Sequence, residues 1–262
     1  MNNKYIGVFD SGIGGLTVVK SIMKILPKEN IIYFGDTLNS PYGDKKEEQI
    51  IELVKQDAKF LAQFDLKAIV IACNTADAIG KDTIMNMYDM PVFGVVDPAS
   101  KYACSISKNK KIGVIATKAA INSKAYDEAI KRIDEEVELY SNACPLLVPL
   151  VEQGKFTDDC LETKQILEGY LKPLLEKDID SLILGCTHYP LLENMVRQIA
   201  PNINIISSSD VAAKKLKEDL EKMNMMSDEL IERKFYVSSD SNNFARLANI
   251  FIKDFDYKIN LI

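Results

Sequence analysis

The sequence lacks the features of a membrane-spanning, secreted or nucleic-acid-binding protein. None of its apolar runs approaches the roughly 18–20 residues that a membrane-spanning helix needs. The first residues lead directly into a strand pattern, without the apolar core of a signal peptide. The net charge of −6 gives no excess of basic residues to bind nucleic acid. We therefore expect a cytoplasmic protein that binds neither membrane nor nucleic acid.

Histidine and cysteine are also scarce. Histidine occurs 1 time in 262 residues, at His188. The 5 cysteines are odd in number and widely spaced, so in a reducing compartment we expect free thiols rather than disulfides. Structural zinc sites usually show short paired spacings, and the only close pair here is Cys186 with His188. The sequence therefore predicts no bound metal.

Two stretches, residues 68–75 and 182–190, share one pattern, in which an apolar run is followed by a small residue, a cysteine and polar residues. The polar groups are Cys73, Asn74 and Thr75 in the first stretch and Cys186, Thr187 and His188 in the second. Buried parallel strands read as continuous apolar runs, and ligands bind at their carboxyl ends. This pattern predicts that both stretches carry chemistry.

Nearly the same interval separates Cys73 from Cys186, Gly7 from Gly113 and Tyr33 from Tyr140. A repeat of alternating strands and helices indicates two similar α/β units. We predict two pseudo-symmetric, doubly wound α/β domains with central, mostly parallel sheets and an active-site cleft between them. The tail exceeds the repeat and is expected to pack back on the first half. The expected domains are 1–97 with 208–262, and 98–207.

Between the strands, apolar spacing predicts helices, among them 123–133, 159–175 and 209–223. Asp210 is expected to cap the last of these. Residues 144–154 give no clear pattern. The last two predicted elements are a strand at 235–237 and a helix at 244–252.

A glycine-rich turn follows the first strand, at residues 10–15. A dinucleotide fingerprint would need its third glycine where Thr17 stands, and the P-loop lysine is absent. A tight strand-to-helix turn explains the glycines but not Asp10 followed by Ser11. Free N–H groups at a helix N-terminus bind carboxylates as well as phosphates. A carboxylate ligand fits the small arginine supply of the chain, and nucleotide binding stays open as an alternative.

Free cysteine is among the most buried residue types, so each cysteine taken singly would more often be structural. The matched positions of Cys73 and Cys186 favour reactive thiols, because helix N-termini depress thiol pKa values. His188 is expected to assist proton movement, and Glu152 in its apolar segment could tune that base. The other three cysteines have no such setting and are expected to be structural.

The motifs together resemble those of the cofactor-independent glutamate racemases. The matching segments are Phe9-Asp-Ser-Gly-Ile-Gly-Gly, Pro41-Tyr-Gly, Ala72-Cys-Asn-Thr-Ala, Val148-Pro-Leu-Val-Glu and Gly185-Cys-Thr-His-Tyr-Pro. The wider aspartate/glutamate racemase superfamily shares the two cysteine motifs, whereas the Thr-His pair after the second cysteine resembles the glutamate branch. The chain departs from the expected pattern at Leu38, Asn39, Asp97 and Ala120, which puts affinity and regulation in doubt more than the reaction.

The resemblance implies that Cys73 and Cys186 accept and donate a proton on opposite faces of an amino acid, exchanging roles with substrate handedness. Asp10, His188 and Glu152 would assist them. The implied substrate-binding residues are Asp10, Ser11, Tyr42, Gly43, Asn74, Thr75, Thr117, Thr187 and His188. The resemblance further implies a homodimer without cofactor that supplies D-glutamate for bacterial peptidoglycan.

Inverting an α-carbon requires one base on each face, which a pseudo-symmetric cysteine pair supplies. The sequence shows no pyridoxal lysine motif, so the carbanion would be stabilised by hydrogen-bond donors and by exclusion of water. Two alternatives stay open. One is a racemase of another amino acid such as aspartate, and the other is a nucleotide- or ligand-binding α/β protein with structural cysteines.

Overall fold

The computed structural model describes residues 3–239 and 241–262. The strands are β1 (Tyr5–Asp10), β2 (Asn30–Gly35), β3 (Leu66–Ile71), β4 (Val92–Phe93), β5 (Lys111–Ala116), β6 (Glu138–Ala143), β7 (Ser181–Gly185), β8 (Asn204–Ser207), β9 (Arg233–Val237) and β10 (Lys258–Leu261). The α-helices are α1 (Leu16–Ile25), α2 (Glu47–Leu61), α3 (Asn74–Met87), α4 (Val96–Ile106), α5 (Lys118–Asn122), α6 (Ala125–Ile133), α7 (Leu147–Glu152), α8 (Leu161–Leu175), α9 (Glu193–Ile199), α10 (Ser208–Lys222) and α11 (Ser241–Phe251). Short 3₁₀ turns occupy Tyr42–Asp44 and Tyr189–Leu192.

The strands form two parallel sheets, and four strands of the larger sheet follow the same order as the smaller one. The first sheet has the order β10-β9-β2-β1-β3-β4 and the second the order β6-β5-β7-β8. All pairings in both sheets are parallel. Four strands of the first sheet, β2-β1-β3-β4, therefore repeat the order of the whole second sheet. The predicted fold class, two pseudo-symmetric doubly wound α/β units, is confirmed.

Helices cover both faces of each sheet, as parallel sheets require. On the first sheet, α1, α10 and α11 enclose one core and α2 and α3 the other. On the second sheet, α7, α8 and α9 enclose one core and α4 and α6 the other. The chain after β8 returns to the first sheet, where β9 pairs with β2 and β10 pairs with β9.

Several local predictions need correction. The helix expected at 123–133 is α6, which begins only at Ala125 because Lys124 before it has a left-handed backbone with φ of 62°. The short helix α5 just before it was not predicted. Residues 147–152 form a helix despite Pro149. The N-cap of α10 is Ser207, whose hydroxyl accepts the backbone N–H of Asp210, so Asp210 is not the cap. Strand β10 has no counterpart in the predicted elements.

Across residues 3–239 and 241–262, no helix is both long and apolar enough to cross a bilayer.

Candidate active site

The strand order of each sheet reverses beside its central strand, and ligands of doubly wound folds bind at such switch points. Asp10 ends β1 and Cys73 follows β3, while Thr117 follows β5 and Cys186 follows β7. The two switch points face one narrow cavity with a volume of about 20 Å³. Its lining residues are Ser11, Pro41, Tyr42, Gly43, Cys73, Asn74, Thr75, Thr117, Val148, Cys186, Thr187 and His188.

The structure thus brings most of the expected site residues to one cavity. Asp10 and Glu152 are the exceptions, since they lie behind the lining and contact it through hydrogen bonds. Pro41 and Val148 line the cavity but are absent from the expected set. Both belong to the motifs that carry the family resemblance, so those motifs could have predicted their place in the site.

Cys73 forms one wall of the cavity. It is the N-cap of α3, and its Sγ lies 3.6 Å from Ser11 Oγ. Burial, reinforced by the negative charge of Asp10, raises the pKa of the Cys73 thiol to about 12. The Ala76 N–H at the helix N-terminus lowers this pKa, as the sequence suggested, but by less than burial raises it. Cys73 is therefore a thiol at neutral pH.

Cys186 lines the same cavity from the second sheet and is backed by a histidine–glutamate pair. His188 Nδ1 lies 3.8 Å from Cys186 Sγ, and His188 Nε2 lies 3.3 Å from Glu152 Oε1. Burial lowers the pKa of His188, but hydrogen bonds and charge attraction from Cys186 and Glu152 outweigh it and raise the pKa to about 10. His188 is thus an imidazolium at neutral pH. Glu152 sits at the end of α7 with its side chain 31% exposed, so this wall connects to solvent.

Asp10 joins the two halves from behind the cavity. Its Oδ1 accepts the backbone N–H of Gly12 at 2.9 Å, and its Oδ2 accepts the hydroxyl of Thr187 at 3.2 Å. Complete burial raises the pKa of Asp10, while the nearby charge of His188 opposes this rise. The carboxyl group is therefore held between the Cys73 and Cys186 sides.

The glycine-rich turn after β1 serves close packing. A Cβ atom at Gly14 would lie 2.2 Å from Thr187 Oγ1 and 2.5 Å from His188 Nδ1. Only glycine leaves room for this approach between the halves. One helical turn later, a hydrogen bond joins the same two segments, with Thr17 Oγ1 donating to the Thr187 carbonyl at 2.9 Å. Together with the Gly12–Asp10 bond, these contacts account for the turn without a phosphate.

The 3₁₀ turn at Tyr42–Asp44 is anchored from outside the cavity. The Tyr42 hydroxyl lies 2.6 Å from Asp36 Oδ2 and 2.8 Å from Asp57 Oδ2. Burial and the charge of Asp36 hold the pKa of Asp57 well above its ordinary value, so Asp57 carries a proton. The hydrogen bonds then run from Asp57 to Tyr42 to Asp36. Tyr42 therefore contributes to the cavity through atoms other than its hydroxyl.

Hydroxyl and N–H groups supply the polarity of the cavity. Thr75 and Thr117 face each other from the two halves with their hydroxyl oxygens 2.8 Å apart. Thr117 also caps α5 by accepting the backbone N–H of Ala120 at 3.2 Å. Because this bond uses the backbone, it does not depend on the alanine side chain at the position where the family pattern differs. Among the lining residues, His188 is the sole basic side chain. Carboxylates would therefore be bound by helix N-termini and hydroxyls rather than by lysine or arginine.

The other three positions that depart from the family pattern, Leu38, Asn39 and Asp97, do not line the cavity. Leu38 is 69% exposed, and Asn39 donates both of its short hydrogen bonds to the Asp36 carboxylate. Asp97 pairs with Lys81 and Arg132 at the start of α4. Within the two described ranges, no group of three or more His, Cys, Asp or Glu side chains is arranged to hold a metal ion.

The fold and the two cysteines on one cavity are those of an amino-acid racemase. Residues 30–216 match the family model described as Asp/Glu/Hydantoin racemase. The curated glutamate racemase of Sulfurihydrogenibium sp. is 44% identical over 250 residues, which cover 95% of this chain and 94% of that protein. The glutamate racemase of Aquifex aeolicus is 43% identical over 247 residues, covering 94% and 93% of the two chains.

Solved structures agree with the sequence matches. The structure of glutamate racemase isoform RacE1 from Bacillus anthracis has a TM-score of 0.95 at 36% identity, covering 100% of this chain and 98% of that one. The Francisella tularensis glutamate racemase, solved with D-glutamate, has a TM-score of 0.93 at 37% identity and the same coverage, 100% and 98%. The chain belongs to the glutamate racemases of the Asp/Glu/Hydantoin racemase family. The resemblance carried by its motifs is confirmed.

Proposed function

We propose that the protein interconverts L- and D-glutamate by two-base proton transfer between Cys73 and Cys186. The observation that carries this proposal is the placement of the two buried cysteines, one after each switch-point strand, on the lining of one cavity. The family relationship supports glutamate as the substrate.

In the proposed reaction, the thiolate of one cysteine takes the α-proton and the electron pair of the C–H bond stays on the α-carbon. The thiol of the other cysteine then delivers its proton to the opposite face, which inverts the centre. The enzyme ends with thiol and thiolate exchanged, ready for the other isomer. Since each proton transfer alters the charge that the second sulfur faces, the two cysteines titrate as a pair during turnover.

The surroundings of the cysteines support different assisting roles. The His188 imidazolium beside Cys186 stabilises negative charge on that sulfur during transfer, and Glu152 holds the imidazole in place. Asp10 is assigned to the Cys73 side, since its charge acts on that thiol and it ends β1 of the same sheet. Glu152 connects the Cys186 side to solvent and could reset its protonation.

The cavity also supports stabilisation of the carbanion and binding of its carboxylates. Hydroxyl groups come from Ser11, Thr75 and Thr117, and an amide comes from Asn74. Such preorganised donors act strongly where bulk water is excluded. We assign the substrate-binding role to the expected set of residues, with Tyr42 and Gly43 contributing through the anchored 3₁₀ turn.

Three further proposals rest on the family resemblance. The protein is a cytoplasmic homodimer, and its product enters bacterial peptidoglycan. Residues 1–97 with 208–262 and residues 98–207 form the two domains, a division supported by the return of β9 and β10 to the first sheet. Light scattering of the purified protein tests the dimer, for which a monomer mass would be the contrary result.

The deciding experiment is proton NMR of the purified protein in D₂O with L-glutamate, and in parallel with L-aspartate. Loss of the glutamate α-proton signal, with D-glutamate identified by a chiral assay, is the expected result. Cys73→Ser should abolish turnover, whereas Cys104→Ser, outside the cavity, should not. Exchange with aspartate alone would overturn the assignment of glutamate as the substrate. Full activity of Cys73→Ser would overturn the two-base mechanism.

A further inference from the structure

The phenol of Tyr126 lies between the two segments that carry the cysteines. Tyr126 belongs to α6 and is 1% exposed. Asn74 Nδ2, from the residue directly after Cys73, donates a hydrogen bond to Tyr126 Oη at 2.8 Å. On the other side, a Cβ atom at Gly185, the residue directly before Cys186, would lie 3.1 Å from the same oxygen. The Tyr126 hydroxyl therefore lies beside the residue that follows Cys73 and the residue that precedes Cys186.

The Asn74 amide has a polar neighbour at its oxygen as well as at its nitrogen. Ser208 Oγ lies 3.5 Å from Asn74 Oδ1 and donates to the Leu184 carbonyl at 3.0 Å. Asn74 is 2% exposed and lines the cavity. A primary amide has two N–H donors, and the bond to Tyr126 occupies one of them. Among the described residues the second N–H has no hydrogen-bond partner, and Asn74 lines the cavity.

We propose that Tyr126 is a positioning residue for the racemisation, which orients the Asn74 amide so that its second N–H binds the substrate. This inference rests on the proposed function. Tyr126 comes from the second half of the molecule and Asn74 from the first, so the bond also ties the two walls together when the cleft is closed.

The surroundings of Tyr126 favour positioning over proton transfer. Burial, together with the negative charges of Asp77 and Cys186, raises the pKa of its phenol far above the working range of an enzyme, against a smaller opposing effect of the Asn74 bond. The hydroxyl keeps its proton at neutral pH. Tyr126 can therefore act only through its hydrogen bond.

The substitution Tyr126→Phe removes the hydroxyl and keeps the buried ring. We expect kcat/KM for glutamate to fall about tenfold in both directions, the effect of one ordinary hydrogen bond, with most of the change in KM. Tyr5→Phe is the matched control, because Tyr5 also bonds a side chain through its hydroxyl but sits at the opposite end of β1 from the cavity. Its kinetic constants should equal those of wild type.

A double-mutant cycle separates positioning from mere structural support. If Tyr126 acts through Asn74, then Tyr126→Phe should have almost no further effect on kcat/KM in an Asn74→Ala background. Equal losses in both backgrounds would overturn the inference, as would an unchanged KM in Tyr126→Phe. KM does not depend on the folded fraction of a sample, so partial unfolding of a variant leaves this readout valid. An inactive wild type would overturn the proposed function and this inference with it, whereas an active wild type with an equally active Tyr126→Phe would overturn this inference alone.

Discussion

Thr187 Oγ1 donates a hydrogen bond to Asp10 Oδ2 across 3.2 Å, although the two residues follow strands of different sheets. The bond places a carboxylate from the Cys73 side under a residue adjacent to Cys186. A buried carboxylate that loses a donor becomes harder to ionise, so this contact controls the charge between the walls.

Thr187→Val should therefore lower kcat/KM for glutamate. The lost bond is to a charged group, for which roughly 1.5–3 kcal/mol is typical, and this corresponds to about ten- to a hundredfold. Thr187→Ser retains the hydroxyl and should stay within a fewfold of wild type. Steady-state racemisation assays on both variants make the comparison, and equal activities for Val and Ser would contradict the role of the hydroxyl.

Glu152→Gln should shift the alkaline limb of the pH–rate profile downward. Its carboxylate is one of the groups that raise the pKa of His188 to about 10, so without it the imidazolium loses its proton at lower pH. Because the folded-state pKa is raised, the stabilisation is complete below the ordinary value of 6.5 and is lost as pH rises through about 10. The Glu152→Gln variant should unfold at a lower temperature than wild type at pH 7, and the difference should vanish above pH 10.

Rates of racemisation and melting temperatures between pH 6 and pH 10.5 check this expectation. Glu162→Gln is a suitable control, since Glu162 pairs with Lys155 on the surface and does not line the cavity. An alkaline limb that stays in place in Glu152→Gln would refute the proposed coupling between Glu152 and His188.

Gly14→Ala should impair both activity and stability. The added methyl group would overlap Thr187 Oγ1 and His188 Nδ1, so the two halves could not close to their present distance. Gly169→Ala provides the contrast, because Gly169 lies within α8 and a Cβ there meets nothing within 4 Å. A helical Gly→Ala change of this kind stabilises by up to about 1 kcal/mol. Calorimetry and activity assays on both variants test the pair, and a fully active Gly14→Ala would show that the halves tolerate more separation.

Asp57→Asn should leave the protein at least as stable as wild type at neutral pH. The folded-state pKa of Asp57 is raised, so wild type loses stability as pH rises above the ordinary value of 3.8, and the amide avoids this loss while still donating to Tyr42. Asp36→Asn should be destabilising instead, because Asp36 accepts bonds from Tyr42, Asn39 and Ser238. Urea unfolding at pH 5 and pH 8 distinguishes the two variants. A larger loss of stability for Asp57→Asn than for Asp36→Asn would reverse the assignment of the proton.

The sequence alone predicted the parts of the fold that depend on long apolar runs. Parallel strands such as β3 and β7 are buried along their whole length, so they stand out as continuous hydrophobic segments ending in polar residues. The start of α6 after Lys124 was not predictable in this way, because a left-handed backbone at a lysine leaves no compositional mark. Strand β10 was also missed, since its half-exposed residues 258–261 give only a weak pattern.

The motifs predicted which residues form the site, but not how their surroundings shift the pKa values of those residues. Adjacent residues such as Cys186 and His188 could be expected to interact, and they do. By contrast, the rise in the pKa of Cys73 comes from burial by both halves, which is a property of the closed cleft. The contact of Tyr126 with Asn74 joins residues 52 positions apart and carries no sequence signal.

The return of β9 and β10 to the first sheet determines the order in which the molecule can be assembled during translation. All strands of the second sheet lie within residues 111–207, so they have all been synthesised before residue 233 of β9 has been made. Until then the outer edge of β2 has no neighbour, and an unpaired edge is open to association with other chains. The half that carries Cys73 therefore begins first and finishes last, and its aggregation-prone interval on the nascent chain lasts as long as synthesis of the second half.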